Sequence, residues 1–149
     1  MNAFTLLKAD HEKVAGILES IDKTTERATK TREELFTRLK QELDLHAEIE
    51  EQILYPALEE IEETREIALE AYEEHRLVKQ LLGELEAAPK DDEQWTAKFT
   101  VLKENIEHHV EEEEGEMFKK ARRALSEEQI EEIGERLQQA KGQERAAAG

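Results

Sequence analysis

Two short strings of side chains carry chemistry that an ordinary helix surface does not need. They read His46-x3-Glu50-Glu51-x3-Tyr55-Pro56 and His109-x3-Glu113-Glu114-x3-Phe118. Residues four apart on a helix project from the same face, one above the other. Each string therefore offers an imidazole and a carboxylate to one point. Glu supplies 33 of the 149 residues, so a His-x3-Glu pair alone means little. Glu-Glu and an aromatic at those offsets recur by chance with a frequency of about 0.002 per His. The chain holds the whole combination twice. Its other histidines are His11, after Asp10, His75, after Glu74, and His108.

The elements that must position these groups repeat as well. A shift of 64 residues lays Asp10-His11 on Glu74-His75, Val14 on Val78, Leu18 on Leu82 and Ile21 on Leu85. A shift of 63 lays Leu39 on Leu102, His46 on His109, Glu50 on Glu113 and Tyr55 on Phe118. Apolar residues recur at helical spacing and no alternating strand pattern occurs, so the chain reads as one helical hairpin used twice. The first helix is expected over Phe4–Thr24. A second begins near Thr31, where Thr31-x-x-Glu34 has capping-box form, and is kinked or ended at Pro56. The third spans about Glu63–Ala87, and the fourth runs from a cap at Asp91 or Asp92 to about Ala124. A shorter fifth helix over about 126–140 opens on Ser126-x-x-Gln129, and 143–149 reads as a frayed tail. The expected fold is all-α: an antiparallel up-down-up-down four-helix bundle over 1–124, with a short additional C-terminal helix within 125–149.

Depth along such a bundle brings the histidines together. His11 and His46 stand roughly 24 and 28 Å from the first loop at about 1.5 Å per residue, and His75 and His109 are placed similarly, though more loosely, about the second. Burying four imidazoles and two carboxylates without a metal is costly. A metal site makes the arrangement sensible.

Composition narrows the chemistry further. A formal net charge of −17 opposes phosphate-tracking nucleic-acid binding and docking on an anionic membrane. The chain has no Cys, which rules out disulfides, zinc-thiolate sites and thiol nucleophiles. No apolar run approaches the roughly 18 residues of a membrane span, and Met1–Lys8 lacks a signal-peptide core. A cytoplasmic location is expected.

In combination, Asp10-His11, Glu74-His75 and the two strings resemble the hemerythrin family, specifically the bacterial HHE cation-binding domains, over about residues 4–122. The resemblance implies a four-helix bundle around a non-heme pair of iron ions with a bridging oxo or hydroxo group. By that resemblance His11 and His46 ligate one iron, His75 and His109 the other, and Glu50 and Glu113 bridge them. Glu114 is the alternative to Glu113, because hemerythrins proper place this carboxylate five residues after the His. Ala71 stands where they carry a second histidine, leaving a position for water, a nearby Glu or the Tyr72 phenolate. The implied ligands are dioxygen, peroxide, nitric oxide and azide. The implied roles are storage, sensing, or slow peroxide or oxidase turnover, with a metal-stabilised interaction module without redox activity as the alternative. Imidazole and carboxylate together suit iron and leave manganese and zinc open. No His follows a Glu at three residues, which weighs against a ferritin-like oxidase. His108, about 100° around the helix from His109, is expected at the surface. Tyr55 and Phe118 are expected as paired core aromatics.

Overall fold

The computed structural model describes residues 1–148, with side chains through Ala146, and no strand occurs among them. Helix α1, Ala3–Asp22, starts behind Asn2, whose side-chain oxygen accepts the Thr5 N–H at 2.9 Å. The chain returns along a second rod made of α2, Thr29–Ile49, a π-helical turn, Glu50–Leu54, and α3, Tyr55–Glu59. Helix α4, Glu62–Ala87, is the third rod. The fourth repeats the second: α5, Glu93–Glu112, a π-helical turn, Glu113–Met117, and α6, Phe118–Ala124. The hairpins α1/α2 and α4/α5 pack together as the expected four-helix bundle. No helix among the described residues is long and apolar enough to cross a membrane.

The helix starts test the capping expectations individually. Asp92 caps α5 by accepting the Gln94 N–H at 3.0 Å. Ser126 and Gln129 form the reciprocal box, with bonds of 2.8 and 3.1 Å. The box expected at Thr31 does not form, because α2 begins at Thr29 behind Ala28, which supplies no side-chain cap. Arg32 holds that corner instead. It is buried, donates to the Thr24 hydroxyl and the Lys90 carbonyl at 2.8 Å each, and lies 4.9 Å over the Trp95 ring. The loops at that end of the bundle are thus tied to each other through one guanidinium.

Pro56 does not end its rod. It sits in the first turn of α3, where a missing N–H costs little, and the helix continues to Glu59. Nor does it cause the π turn before it, since the second copy has Lys119 at the equivalent position and the same turn. In both copies the turn closes with an i→i+5 bond, from the Tyr55 N–H to the Glu50 carbonyl and from the Phe118 N–H to the Glu113 carbonyl.

Helix α7, Glu127–Ala148, is longer than expected and runs through residues read as a frayed tail; Gly149 lies outside the described residues. It lies across α1 and α2 and buries Ile130, Ile133 and Leu137. At Gly134 a Cβ would overlap the Met1 carbonyl oxygen and stand 2.7 Å from the Ala3 nitrogen. A glycine there lets α7 rest directly on the backbone at the start of α1.

Two apolar clusters fill the bundle. One gathers Leu7, Leu54, Leu58, Phe118 and Leu137, and the other Val14, Leu18, Leu39, Trp95 and Leu102. Between them lies a layer of buried His and Glu.

Candidate metal centre

Each of the four rods delivers one imidazole to that layer: His11 from α1, His46 from α2, His75 from α4 and His109 from α5. They stand as two near-identical pairs. His11 and His46 have ring centres 4.9 Å apart at 65°, and His75 and His109 have centres 4.9 Å apart at 64°. Glu50 and Glu113, each the first residue of a π turn, lie between the pairs and are essentially inaccessible to solvent. Glu50 Oε1 is 3.1 Å from His46 Nε2 and 3.3 Å from His75 Nε2. Glu113 Oε1 is 3.2 Å from His11 Nε2, and its Oε2 is 3.2 Å from His109 Nε2. All six residues singled out in the sequence meet here, and each carboxylate faces one imidazole of each pair.

A second ring of carboxylates aims the imidazoles. Nδ1 of His46 meets Asp10 at 3.1 Å and Nδ1 of His109 meets Glu74 at 2.8 Å. Nδ1 of His11 meets Glu114 at 2.6 Å and Nδ1 of His75 meets Glu51 at 2.9 Å. The second Glu of each Glu-Glu pair thus serves the histidine of the other repeat, while Asp10 and Glu74 serve their own. A carboxylate at Nδ1 keeps the proton there and leaves the Nε2 lone pair facing inward. Glu114 therefore supports His11 from the half-exposed rim, and Glu113 occupies the centre.

Tyr55 corrects the sequence reading. It packs in the core, but its hydroxyl enters the centre, donating to Glu113 Oε2 at 2.9 Å. It stands 3.2 Å from both Glu50 Oε1 and His75 Nε2, and 3.5 Å from His109 Nε2. Phe118, its counterpart, carries no hydroxyl and packs on Phe4 with ring centres 4.5 Å apart. The two halves of the centre differ at this point. Tyr72, the phenol considered for the position left by Ala71, instead turns its hydroxyl to the Glu51 carbonyl at 3.4 Å. Ala71 itself is packed in the apolar cluster around Tyr55. His108 is exposed and sits 3.6 Å from Glu112.

The model of the hemerythrin HHE cation binding domain matches residues 2–121. This chain belongs to that family. A crystal structure of an HHE cation-binding domain-containing protein from Mycobacterium kansasii superposes with a TM-score of 0.87 at 29% identity, covering 99% of this chain and 90% of that one. An uncharacterised protein of Mycobacterium tuberculosis is 29% identical over 92% of this chain and 83% of its own length. A Nostoc protein named as a DNA nickase is 27% identical over 95% of this chain, which spans only 39% of that protein.

The donor set of this HHE domain fits a cation. Among the described residues, five buried side-chain polar atoms lack a hydrogen-bond partner, and four belong to the centre: His11 Nε2, His46 Nε2, Glu50 Oε2 and Glu113 Oε1. Leaving such atoms unpaired is costly. Ligands about 2.1 Å from one ion and at right angles stand about 3.0 Å apart, close to the 3.1 to 3.3 Å separations seen here. His11, His46, Glu50 and Glu113 offer donor atoms within 4.8 Å of one another, and Glu50, His75 and His109 do the same.

Without a cation, protons must balance the charges. Burial lowers the pKa of His46, but Glu50 and the Asp10 hydrogen bond more than reverse this and hold it well above the usual histidine value. Burial likewise opposes protonation of His109, yet Glu113 and Glu74 push it up to about 10. His11 is raised, against its burial, by Glu113. Burial would raise Glu113, but the His109 and His11 imidazoles beside it hold it well below the usual carboxylate range. Burial, then the charges of Glu113 and Glu50, keep the Tyr55 hydroxyl protonated.

A cavity of about 40 Å³ adjoins the imidazoles, walled mainly by Val14, Leu43, Val78, Leu82, Ile106 and Val110, with Asp44 and Lys79 also in its lining. A water-sized molecule needs about 10–15 Å³ on this measure. The space suits molecules of two or three heavy atoms.

Proposed function

We propose that this HHE domain holds two iron ions, one at the His11/His46 pair and one at the His75/His109 pair, with Glu50 and Glu113 shared between them. We further propose that it binds dioxygen, nitric oxide or peroxide in the adjoining cavity. The observation that carries the reading is the cluster of four unpartnered Nε2 and carboxylate atoms turned to a common centre. Iron held there supplies a Lewis-acidic, redox-active group. The chain's own residues do the rest. Asp10, Glu74, Glu51 and Glu114 fix the imidazoles, and the largely apolar wall favours small uncharged molecules. Tyr55 Oη keeps a proton 2.9 Å from Glu113, beside one pair of histidines and not the other. A proton held at that spot favours slow turnover, such as peroxide consumption, over long-lived reversible oxygenation. DNA nicking belongs to the Nostoc relative. A chain with a net charge of −17 has no surplus of cations to place on nucleic-acid phosphates.

Protein expressed in iron-replete medium and purified in air tests the reading. It is expected to carry close to two irons per chain, to show the near-ultraviolet charge-transfer absorption of an oxo- or hydroxo-bridged ferric pair, and to change that spectrum with azide or peroxide. A colourless, zinc-loaded or single-metal protein refutes the di-iron assignment.

A further inference from the structure

One side chain of α7 reaches the candidate centre. Lys141 Nζ donates to Asp10 Oδ1, and Asp10 Oδ2 meets His46 Nδ1 at 3.1 Å. The line Lys141–Asp10–His46 thus runs from the added helix to an inward-facing Nε2. Asp10 is buried, and its lowered pKa reflects burial opposed and outweighed by His46 and Lys141. The segment of α7 that carries Lys141 is anchored at both ends. Gly134 sits against the α1 backbone, and Arg145 bonds Glu42 of α2 at 3.1 and 3.2 Å.

The internal repeat supplies a control. Glu74, the counterpart of Asp10, holds His109 at 2.8 Å, and among the described residues no Lys or Arg pairs with it. Besides His109, which it supports, Glu74 has Glu112 and the exposed His108 beside it. One half of the centre is therefore tied to α7 and the other is not.

We infer that Lys141 is a positioning residue that locks the Asp10 carboxylate against His46, so that docking of α7 sets how tightly the His11/His46 half holds its metal. A buried carboxylate with two cationic partners has its plane and rotamer fixed. With Lys141 removed, Asp10 can turn, and the His46 ring loses its fixed direction. Losing a direct hydrogen-bond partner of a metal ligand weakens metal binding by about 10–100-fold. Lys141 acts one bond further out, and a change of about 3–10-fold is expected on the same basis. The His75/His109 half is expected to be indifferent.

The inference rests on the metal-centre reading above, and the experiment separates the two. Full-length wild type, Lys141→Met and Lys141→Arg are loaded with iron, and transfer of the metal to a chelator is followed. Lys141→Met is expected to accelerate one of two release phases by about 3–10-fold while the other stays within about twofold, and Lys141→Arg is expected to restore the wild-type rate. Gly134→Ala, which disturbs α7 docking without touching the ion pair, is expected to accelerate the same phase. In metal-free protein the ring ¹⁵N resonances of His46, and not those of His109, are expected to shift in Lys141→Met. A thermal melt confirms that each variant is folded, with Lys141→Gln replacing any Met variant that is not. Unchanged His46 resonances, or equal acceleration of both phases, overturns the inference. A wild type that takes up no metal refutes the metal-centre reading, and the ¹⁵N comparison in metal-free protein still decides the role of Lys141.

Discussion

Replacing Tyr55 with Phe removes a single oxygen from the middle of the bundle and leaves the ring in place. The side chain is fully buried, so no cavity opens beyond the hydroxyl itself. That hydroxyl has one proton to give. Its nearest acceptor is Glu113 Oε2 at 2.9 Å, on a carboxylate held ionised by its neighbours. A hydrogen bond to a charged group contributes about 1.5–3 kcal/mol. Glu113 Oε2 keeps His109 Nε2 at 3.2 Å and is not orphaned, which favours the lower part of that range, about 1.5–2 kcal/mol. For a protein of this size each kcal/mol moves Tm by about 2–4 °C. Metal-free Tyr55→Phe is therefore expected to melt about 3–8 °C below metal-free wild type. Because burial keeps the phenol protonated, the difference persists across neutral and mildly alkaline pH. Iron loading is expected to shrink it, since a metal would then satisfy the Glu113 oxygens. Circular-dichroism melts of both proteins, with chelator and after iron loading, measure each quantity. Equal midpoints for the two metal-free proteins would refute the role given to the hydroxyl.

The other predictions test the register, the proton balance and the α7 contact. His109→Ala is expected to lose metal and His108→Ala to keep it, as measured by elemental analysis; equal loss would show that α5 is turned wrongly. In the metal-free protein His11 and His46 are raised above the ordinary histidine value and His109 lies at about 10. His46 and His109 are thereby charged at pH 7, and the stability that the raised groups add is fully present below the unfolded pKa and lost as pH rises through the folded one. Metal ligation needs neutral imidazole, so metal uptake at pH 7 is expected to release protons into a weakly buffered indicator solution. Gly134→Ala is expected to destabilise the protein by about 1–3 kcal/mol through overpacking and to speed amide exchange in α7 and the first turn of α1.

The parts of the molecule that were readable in the sequence obey helical periodicity. The bundle, the level of the four histidines and the inward Glu50 and Glu113 follow from i, i+4 spacing and from the repeat. The roles of Asp10, Glu74, Glu51 and Glu114 do not, because a partner at Nδ1 depends on how closely another helix approaches. Arg32 was invisible for a related reason. It is one of many charged helix residues, and its partners Thr24, Lys90 and Trp95 come from separate segments. In α7 the run of large apolar residues stops at Leu137, so the helix read as ending near residue 140. Its last turns use Ala, Glu and Lys, which favour helix, and are held by ion pairs from Lys141 and Arg145 to the bundle.

Tyr55 is the instructive failure, because its signal was present and was assigned to packing alone. Nine residues separate His46 from Tyr55 and His109 from Phe118. At about 100° per residue, nine residues of α-helix end on the face opposite the start. An aromatic that lies opposite the core-facing histidine in both copies should point to solvent, yet both aromatics are fully buried. The i→i+5 turn reconciles the two facts. Its wider loop turns the chain less per residue and brings the fifth residue back over the first, which sets Tyr55 above Glu50 and Phe118 above Glu113. The extra residue is thus what lets one rod present a histidine, a carboxylate and an aromatic to the same interior. A large aromatic nine residues after a core histidine, repeated in both halves, is evidence that the helix between them is not uniformly α. Once the turn is widened, the single hydroxyl that distinguishes Tyr55 from Phe118 makes a symmetric set of buried His and Glu into two unequal halves.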